Sequence, residues 1–174
     1  GVQTLDAARV SYRSWSGETE SSYFANVASA GMSGAIAERA NRTSKALGGQ
    51  ASFLVATLAV FSKWKPVTLS VTVDGQQRQG PMQDVIVANC RFLGGGMKMC
   101  PDADPADGIF DVLTIGAITK TDLARSLPKI YRGTRLPHPK AELLQGSRVT
   151  IEADVAVPIQ LDGEQPGTTP VTFE

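Results

Sequence analysis

The stretch Val67-Thr-Leu-Ser-Val-Thr-Val73 indicates the fold more clearly than any other part of the chain. Its apolar residues, among them Leu69 and Val71, alternate strictly with threonine and serine. A period of two places the apolar side chains on one face of a β-strand. The next two residues, Asp74-Gly75, are typical of a two-residue hairpin turn. The sequence therefore predicts a half-buried strand that turns back at this point.

Similar strand signals recur on both sides of this hairpin. Short apolar runs bounded by turn residues predict strands over residues 8–15, 22–28, 84–89, 108–116, 148–154, 157–161 and 170–173. The run 84–89 is the most apolar, so we expect it to be a central strand.

Three segments carry helical signals instead. Ser33 is a candidate cap for a helix over 34–47, and a more apolar helix is expected over 50–64, before Pro66. A capping box at Thr119–Asp122 begins a third helix toward Tyr131, which Pro128 should kink or divide. Many short strands with a few helices predict an α+β fold that is mainly β. We expect an antiparallel sheet or sandwich with helices to one side.

Composition narrows the class of protein. Of 174 residues, 42% are hydrophobic and 20% are charged, which excludes a disordered chain. The formal net charge is zero, so no overall positive field attracts nucleic acid, and we expect no nucleic-acid partner. Two cysteines, Cys90 and Cys100, and one histidine, His138, show no zinc-ligand spacing, and both thiols are expected to be free.

Four carboxylates lie close together in Pro101-Asp-Ala-Asp-Pro-Ala-Asp-Gly-Ile-Phe-Asp111. Such charges repel one another unless a cation or several N–H donors hold them. A hard divalent cation such as Mg²⁺ is the natural candidate, because it takes oxygen ligands. The alternative is a solvated acidic loop, which is the commoner meaning of such a run.

A second carboxylate turn, Asp162-Gly163-Glu164, follows the apolar run that ends at Leu161. Strand ends and the loops after them often carry binding and catalytic side chains. The alternative is an ordinary β-turn with two exposed acids.

Five motifs taken together resemble the C-terminal domain of the diacylglycerol kinase family. They are Phe24-Ala-Asn26-Val-Ala-Ser29-Ala-Gly31, Gly94-Gly-Gly-Met97, the acidic loop, Tyr131-Arg-Gly-Thr134 and Asp162-Gly163-Glu164. That family includes bacterial lipid kinases and sphingosine kinases and is more distantly similar to NAD kinase. The resemblance implies that residues 1–174 form the sandwich-like second domain of a two-domain lipid kinase. The family's Gly-Gly-Asp-Gly-Thr phosphate-binding motif belongs to an N-terminal nucleotide-binding domain, which we expect to be absent from this chain.

The resemblance also assigns roles to residues. It implies that Glu164 reaches the nucleotide and acts on the substrate hydroxyl, that Asp162 supports the turn, and that Asp6 joins a carboxylate network near the active site. It implies a structural Mg²⁺ held by the Asp107 carboxylate and by the backbone carbonyls of Asp104 and Ile109. ATP would be the co-substrate, bound mainly by the missing domain.

The implied function is ATP-dependent phosphorylation of a hydroxyl of diacylglycerol or a similar lipid. Its implied setting is a cytoplasmic protein in peripheral contact with the inner membrane surface, with a homodimer as a further expectation. Three alternatives stay open: a kinase of a sphingoid base or another lipid, a non-catalytic β domain that binds lipid or protein, and a metal-stabilised structural domain. The chain departs from the family at Arg135, where His is frequent, and at Cys90, where Gly is usual.

Overall fold

A computed structural model describes residues 4–42, 49–93, 96–133 and 138–174, in which strands dominate. The elements in chain order are β1 (Ala8–Ser14), β2 (Thr19–Phe24), β3 (Val27–Gly31), α1 (Met32–Arg42), α2 (Gly49–Phe61), β4 (Val67–Val73), β5 (Gln76–Ala88), β6 (Phe92–Leu93), β7 (Met97–Lys98), β8 (Phe110–Gly116), α3 (Lys120–Arg132), β9 (Ala141–Gly146), β10 (Val149–Ala153), β11 (Ile159–Leu161) and β12 (Gly167–Phe173). The predicted class, mainly β with a few helices, is confirmed.

One curved antiparallel sheet forms the body of the molecule. Its strands run in the order β11-β3-β5-β4-β10-β12-β1-β2. Off this path, β8 pairs with β5, and β9 pairs with β8. Just ahead of β11, Pro158 bridges to Thr168 in β12, so the sheet bends back toward itself. The enclosed side chains include Val10, Val71 and Ile151, each completely buried. Burial of this apolar surface is the main force that holds the fold together.

The hairpin predicted at Asp74-Gly75 is confirmed. Both residues have positive φ, 44° and 84°, as the favoured two-residue turn requires. The strand that follows, β5, starts at Gln76 and is longer than the predicted run 84–89. Its first half is polar and only partly covered, so no apolar pattern marks that half in the sequence. Its second half is buried on both faces and pairs with β3 and β8, so the predicted central position is confirmed.

One predicted strand, over residues 22–28, is wrong as a continuous element. The chain bends at Ala25 and Asn26, between β2 and β3. Successive backbone N–H groups of Ala25, Asn26 and Val27 turn toward the carboxylate of Asp162 instead of a neighbouring strand. A side chain far along the sequence therefore ends one strand and starts another.

The three helices pack together through a shared apolar cluster that includes Ile36, Ala56 and Leu123. The capping box at Thr119 is present, and Pro128 lies inside one helix that it does not divide. Ser33 is not the cap of α1. It lies in the first turn of that helix, and its N–H and hydroxyl both donate to the buried carboxylate of Asp84. No helix in the described ranges is both long and apolar enough to cross a bilayer.

Some sequence predictions fall on residues outside the described ranges. They are the last part of the helix over 34–47, Gly94 and Gly95 of the triple glycine, and Thr134 and Arg135. The prediction that Cys90 and Cys100 are free thiols is confirmed.

Candidate functional site

The Asp162-Gly163-Glu164 segment is a tight turn that closes the end of β11. Leu161 and Glu164 exchange two backbone hydrogen bonds, of 2.8 and 2.9 Å, across it. Asp162 and Gly163 both have positive φ, 49° and 94°, a conformation that aspartate tolerates and glycine adopts freely. The predicted turn is therefore confirmed. It leaves the Glu164 side chain exposed, without a hydrogen bond from any residue in the described ranges.

Asp162 fixes this turn to the bend between β2 and β3. Its two carboxylate oxygens accept three hydrogen bonds, from the N–H groups of Ala25, Asn26 and Val27, at 2.9 to 3.0 Å. Hydrogen bonds to an ionised carboxylate are stronger than neutral ones. The Asp162 carboxylate is thus committed to holding the backbone, whereas that of Glu164 is available to a ligand.

Two further side chains hold the turn from the other side. The buried Gln160 accepts from the Gly163 N–H at 2.8 Å and donates to the Val27 carbonyl at 3.2 Å. Asn41, near the end of α1, donates to the Gly163 carbonyl at 2.9 Å. The position of Glu164 is therefore set by β3, β11 and α1 together.

Asp6 belongs to the same hydrogen-bonded network. The Asn89 side-chain amide donates to the carbonyls of Asp6 and Ala25, at 2.9 and 2.8 Å. Since Ala25 also donates its N–H to Asp162, the peptide groups of Ala25 connect the Asp6 segment to the Asp162–Glu164 turn. The structure therefore places the Asp6 segment and the Asp162–Glu164 turn at one end of the sheet.

Asp6 also reaches the acidic loop. Its carboxylate accepts from the Gly108 N–H at 2.8 Å, and its own N–H donates to the Pro105 carbonyl at 2.8 Å. The loop, the N-terminal segment and the turn after β11 thus form one connected region.

N–H donors satisfy part of the loop's negative charge. Asp104 accepts from the Ala106 N–H and Asp107 from the Ile109 N–H, each at 3.1 Å, so both close local turns. Asp111 is buried and accepts from the Gln145 side chain at 2.9 Å. Among the described residues, no group of three or more His, Cys, Asp or Glu side chains is arranged to hold a metal ion.

The proposed Mg²⁺ ligand set is of a different kind, one carboxylate and two backbone carbonyls. Asp104 and Asp107 are exposed and Ile109 is half-buried, so water has access to this part of the loop. An all-oxygen set with one carboxylate and several waters suits Mg²⁺, which dehydrates reluctantly. The donor chemistry therefore fits the predicted ion.

Two adjoining cavities, called here the outer and the inner cavity and together the cleft, lie beside the turn. The outer cavity, with a volume of about 260 Å³, is lined by polar residues such as Asn41 and Asp162 and by apolar residues such as Ala37. The inner cavity is smaller, about 60 Å³, and most of its lining consists of apolar side chains of the three helices and the sheet. Ser33, Phe53 and Leu93 line both cavities. A ligand with a polar end and an apolar body matches this arrangement.

One ionisable group lies in the wall of the inner cavity. Asp84 is only 2% exposed. Removal from water raises the pKa of its carboxyl from 3.8 to about 7, although hydrogen bonds from Ser33 lower it. One of its oxygens and the side-chain oxygen of the neighbouring Gln83 have no hydrogen-bond partner among the described residues. The inner cavity therefore has a polar spot in an apolar wall.

Sequence reasoning missed the importance of Asn89, Gln160, Asn41 and Asp84. Asn89 directly follows β5, a position where a polar side chain after an apolar run is a usable signal. Gln160 breaks an apolar strand, which is a similar signal. Nothing in the sequence indicates that Asn41 reaches Gly163, because the two residues are 122 positions apart.

Comparison with known proteins agrees with this architecture. Residues 26–174 match the family model described as the YegS C-terminal NAD kinase beta sandwich-like domain. The match covers most of the chain, which therefore belongs to this family, and the resemblance inferred from the five motifs is confirmed.

Relatives in sequence are named as diacylglycerol kinases. That of Mycobacterium tuberculosis (strain H37Rv) is 28% identical over 145 residues, which cover 82% of this chain and 46% of the relative. That of Bacillus subtilis (strain 168) is 23% identical over 157 residues, which cover 90% and 52%. The chain thus spans about half the length of the curated relatives it matches.

A solved structure shows the same fold. The crystal structure of a diacylglycerol kinase from Bacillus anthracis str. Sterne superposes with a TM-score of 0.59 at 16% identity, covering 99% of this chain and 50% of that one. At this identity the likeness concerns the fold alone.

Proposed function

We propose that the protein containing this chain transfers the γ-phosphoryl group of ATP to a hydroxyl of diacylglycerol or a similar lipid. The observation that carries the proposal is the cleft, whose outer cavity is lined by Asp162 and Gly163 of the turn and adjoins a mostly apolar inner cavity. Such a cleft suits a lipid whose hydroxyl lies at the turn and whose chain points inward. Relatives named as diacylglycerol kinases support the same substrate class.

In the proposed reaction the lipid oxygen forms a bond to the γ-phosphorus as the bond from that phosphorus to ADP breaks. Glu164 accepts the proton of the lipid hydroxyl, because its carboxylate is exposed, directly follows Asp162 and Gly163 of the cleft lining, and is not used to hold the backbone. Asp162, Gln160 and Asn41 keep the turn in place. Positioning of this kind is the protein's main contribution to phosphoryl transfer.

Asp6 has a supporting part in this proposal. It holds the acidic loop beside the turn through Gly108, and Asn89 holds Asp6. Mg²⁺ at Asp107 and at the carbonyls of Asp104 and Ile109 would neutralise the charge of the loop. The same loop would then line a different cleft, the one between this domain and a nucleotide-binding domain.

A further domain is part of the proposal. No P-loop signature lies in the sequence, and the chain covers about half of each relative. We propose that this second domain cradles the ATP phosphates. The protein would be cytoplasmic and would meet its lipid at the inner membrane surface by peripheral contact, and a homodimer remains part of the proposal.

The test is ATP-dependent phosphorylation of a short-chain diacylglycerol by the full-length protein that contains this chain. Radioactive phosphate should move from γ-labelled ATP to the lipid, and residues 1–174 alone should show no turnover. Phosphorylation of a sphingoid base in preference to diacylglycerol would show that the substrate is a sphingoid base instead. No transfer to any lipid hydroxyl would reject the kinase assignment for this protein.

A further inference from the structure

Two neighbouring residues of the inner cavity wall carry oxygen atoms that lack a partner. Gln83 and Asp84 both line this cavity and are only 3% and 2% exposed. Gln83 Oε1 and Asp84 Oδ1 accept no hydrogen bond from any of the described residues. A buried polar atom without a partner is costly, so in native proteins such an atom usually meets water or a ligand.

A β-bulge places both side chains on the same cavity. In a regular strand, consecutive side chains point to opposite faces of the sheet. The pairing of β5 with β8 shifts here from Met82 opposite Gly116 to Asp84 opposite Ile115, so Gln83 is an extra residue in β5. Bulges are frequent beside binding sites, where they redirect a side chain. The strand therefore departs from its regular form at the one point where two polar residues meet the cavity.

Helix α1 holds the two side chains in place and leaves these oxygens free. Ser33 donates its N–H and its hydroxyl to the other Asp84 oxygen, Oδ2. The Gln83 amide nitrogen contacts only a weak acceptor, the Met32 sulfur, at 3.8 Å. Both side chains are thus oriented by neighbouring residues of one helix, while one oxygen of each stays unused.

The rest of the inner cavity suits an apolar chain better than water. Its volume of about 60 Å³ has room for about five groups of the size of a water molecule. Most of its wall, including Ile36, Ile86 and Ile115, offers no hydrogen bond. Water persists in a buried cavity only where it finds two or more polar partners, and Gln83 and Asp84 provide these at a single place.

We propose that the inner cavity selects a lipid whose apolar chain carries one hydroxyl group, held by Gln83 Oε1 and by the Asp84 carboxyl. This inference rests on the proposed function, because it names the substrate class of the same cleft. Gln83 and Asp84 would then determine specificity, at a distance from the reacting hydroxyl at the turn.

The chemistry of the two groups favours a hydroxyl over an amine. Burial raises the pKa of the Asp84 carboxyl to about 7, so near neutral pH a protonated fraction can donate as well as accept. A hydroxyl has the same double capacity. An amine would arrive as an ammonium ion, and moving that charge into an apolar cavity is costly.

The experiment measures binding of short-chain diacylglycerols to the full-length protein at pH 7, without ATP, by titration calorimetry. The probes are dioctanoylglycerol and a set of derivatives in which one hydroxyl moves carbon by carbon along one acyl chain. At one position the derivative should bind at least about tenfold more tightly than dioctanoylglycerol, because its hydroxyl satisfies two buried acceptors. At the other positions the hydroxyl should weaken binding, since it is buried without a partner.

A variant tests the residue assignment. Gln83→Met keeps the length of the side chain and removes the amide, so the preference for the best hydroxylated lipid should fall to about twofold or less. Gln77→Met is the matched control, because Gln77 lies on the same strand but is exposed and does not line the cavity. It should keep the full preference.

Three results would overturn the proposal. The first is a wild-type series in which no hydroxyl position improves binding, which needs no variant to fold. The second is a Gln83→Met protein that keeps the full preference. The third is tighter binding of the lipid with an amino group at the best position, since the selected group would then be a cation.

Failure of this inference can be told apart from failure of the proposed function. If the full-length protein phosphorylates diacylglycerol but prefers no hydroxyl position, this inference fails and the kinase assignment stands. If it prefers one hydroxylated lipid in the absence of ATP but phosphorylates no lipid, the selectivity of the cavity stands and the kinase assignment fails.

Discussion

Asp162 and Asp74 perform the same local task at two places in the fold. Each has positive φ, precedes a glycine in a tight turn and accepts backbone hydrogen bonds. Bonds from the N–H groups of Ser147 and Arg148 lower the pKa of Asp74. The two turns differ in location, because the turn at Asp162 lines the outer cavity of the cleft and the turn at Asp74 does not. They therefore form a natural matched pair for experiments.

The first prediction uses this pair. Asp162→Asn and Asp74→Asn both keep a side chain that tolerates positive φ but lose the ionised acceptor, so each should lower the free energy of unfolding. Urea unfolding measures this loss. Only Asp162→Asn should also lower kcat in the full-length protein. Equal kcat in the two variants would show that the turn at Asp162 has no special part in the reaction.

Asp84 leads to a prediction about pH. Its carboxyl has a raised pKa in the folded state, about 7 against 3.8, so between these values the folded protein keeps a proton that the unfolded chain loses. Stability should therefore fall as pH rises from about 4 to about 7, by on the order of a few kcal/mol, and change little from this group above that range.

Asp84→Asn is the test, because it keeps the shape and still accepts from Ser33 while it cannot ionise. Urea unfolding at pH 5 and pH 8 should show a larger loss for the wild type than for the variant, which should be the more stable protein at pH 8. Parallel losses in the two proteins would mean that Asp84 titrates as an ordinary carboxyl.

At the scale of elements, α1 lies very close to the segment before β11. A Cβ atom on Gly34 would lie 2.7 Å from the Pro158 carbonyl oxygen and 2.8 Å from its carbon. Backbone atoms cannot rotate away, so a side chain here requires α1 to move. Because Asn41 on α1 holds Gly163, this movement would also reach the turn before Glu164.

Gly34→Ala should therefore destabilise the fold by about 1–3 kcal/mol, the usual cost of overpacking. The sign is the informative part, since helix propensity alone would make alanine stabilising by about 1 kcal/mol. Thermal or urea unfolding of the variant gives this sign. A more stable Gly34→Ala protein would show that α1 does not pack this tightly on Pro158.

The acidic loop gives a prediction about Mg²⁺. If the ion binds only the folded state with a Kd of about 1 mM, then about 10 mM Mg²⁺ should add about 1.4 kcal/mol of stability. This corresponds to a rise in Tm of roughly 3–5 °C for a chain of this size. Asp107→Asn should lose the rise, while Asp154→Asn, which changes an exposed acid elsewhere, should keep it. If each of the three proteins had the same Tm with and without Mg²⁺, the predicted ion site at Asp107 would be rejected.

The elements differ in how far sequence could define them. The β4–β5 hairpin and the capping box of α3 depend on neighbouring residues, so local patterns predicted both. The bend at Ala25 depends on Asp162, 137 residues further along, and no local pattern contains it. β9 was missed because its residues are mostly exposed and lack a clear apolar alternation. Local sequence patterns therefore do not predict long-range hydrogen bonds or exposed edge strands.

For the whole molecule, the order of motifs predicted the family, and the structure adds how they meet. Phe24–Asn26, the acidic loop, Asp6 and the Asp162–Glu164 turn are joined by hydrogen bonds through Ala25 and Asn89. The sequence could name these segments, because each has a recognisable composition. It could not supply the connection, because Asn89 and Gln160 act through side chains whose partners come from elsewhere in the fold. The assigned roles of Glu164, Asp6 and the metal ligands remain predictions.

The central claim is that this domain supplies the group that takes the proton from the lipid hydroxyl. The most direct measurement is kcat of the full-length protein with Glu164→Gln, which keeps the shape of the side chain and removes the base. Since general-base catalysis contributes about 10²–10⁴-fold, kcat should fall by at least about a hundredfold. KM for ATP and the free energy of unfolding should change little, because Glu164 is exposed and matters mainly in the transition state. A Glu164→Gln protein with near-normal kcat would contradict the account.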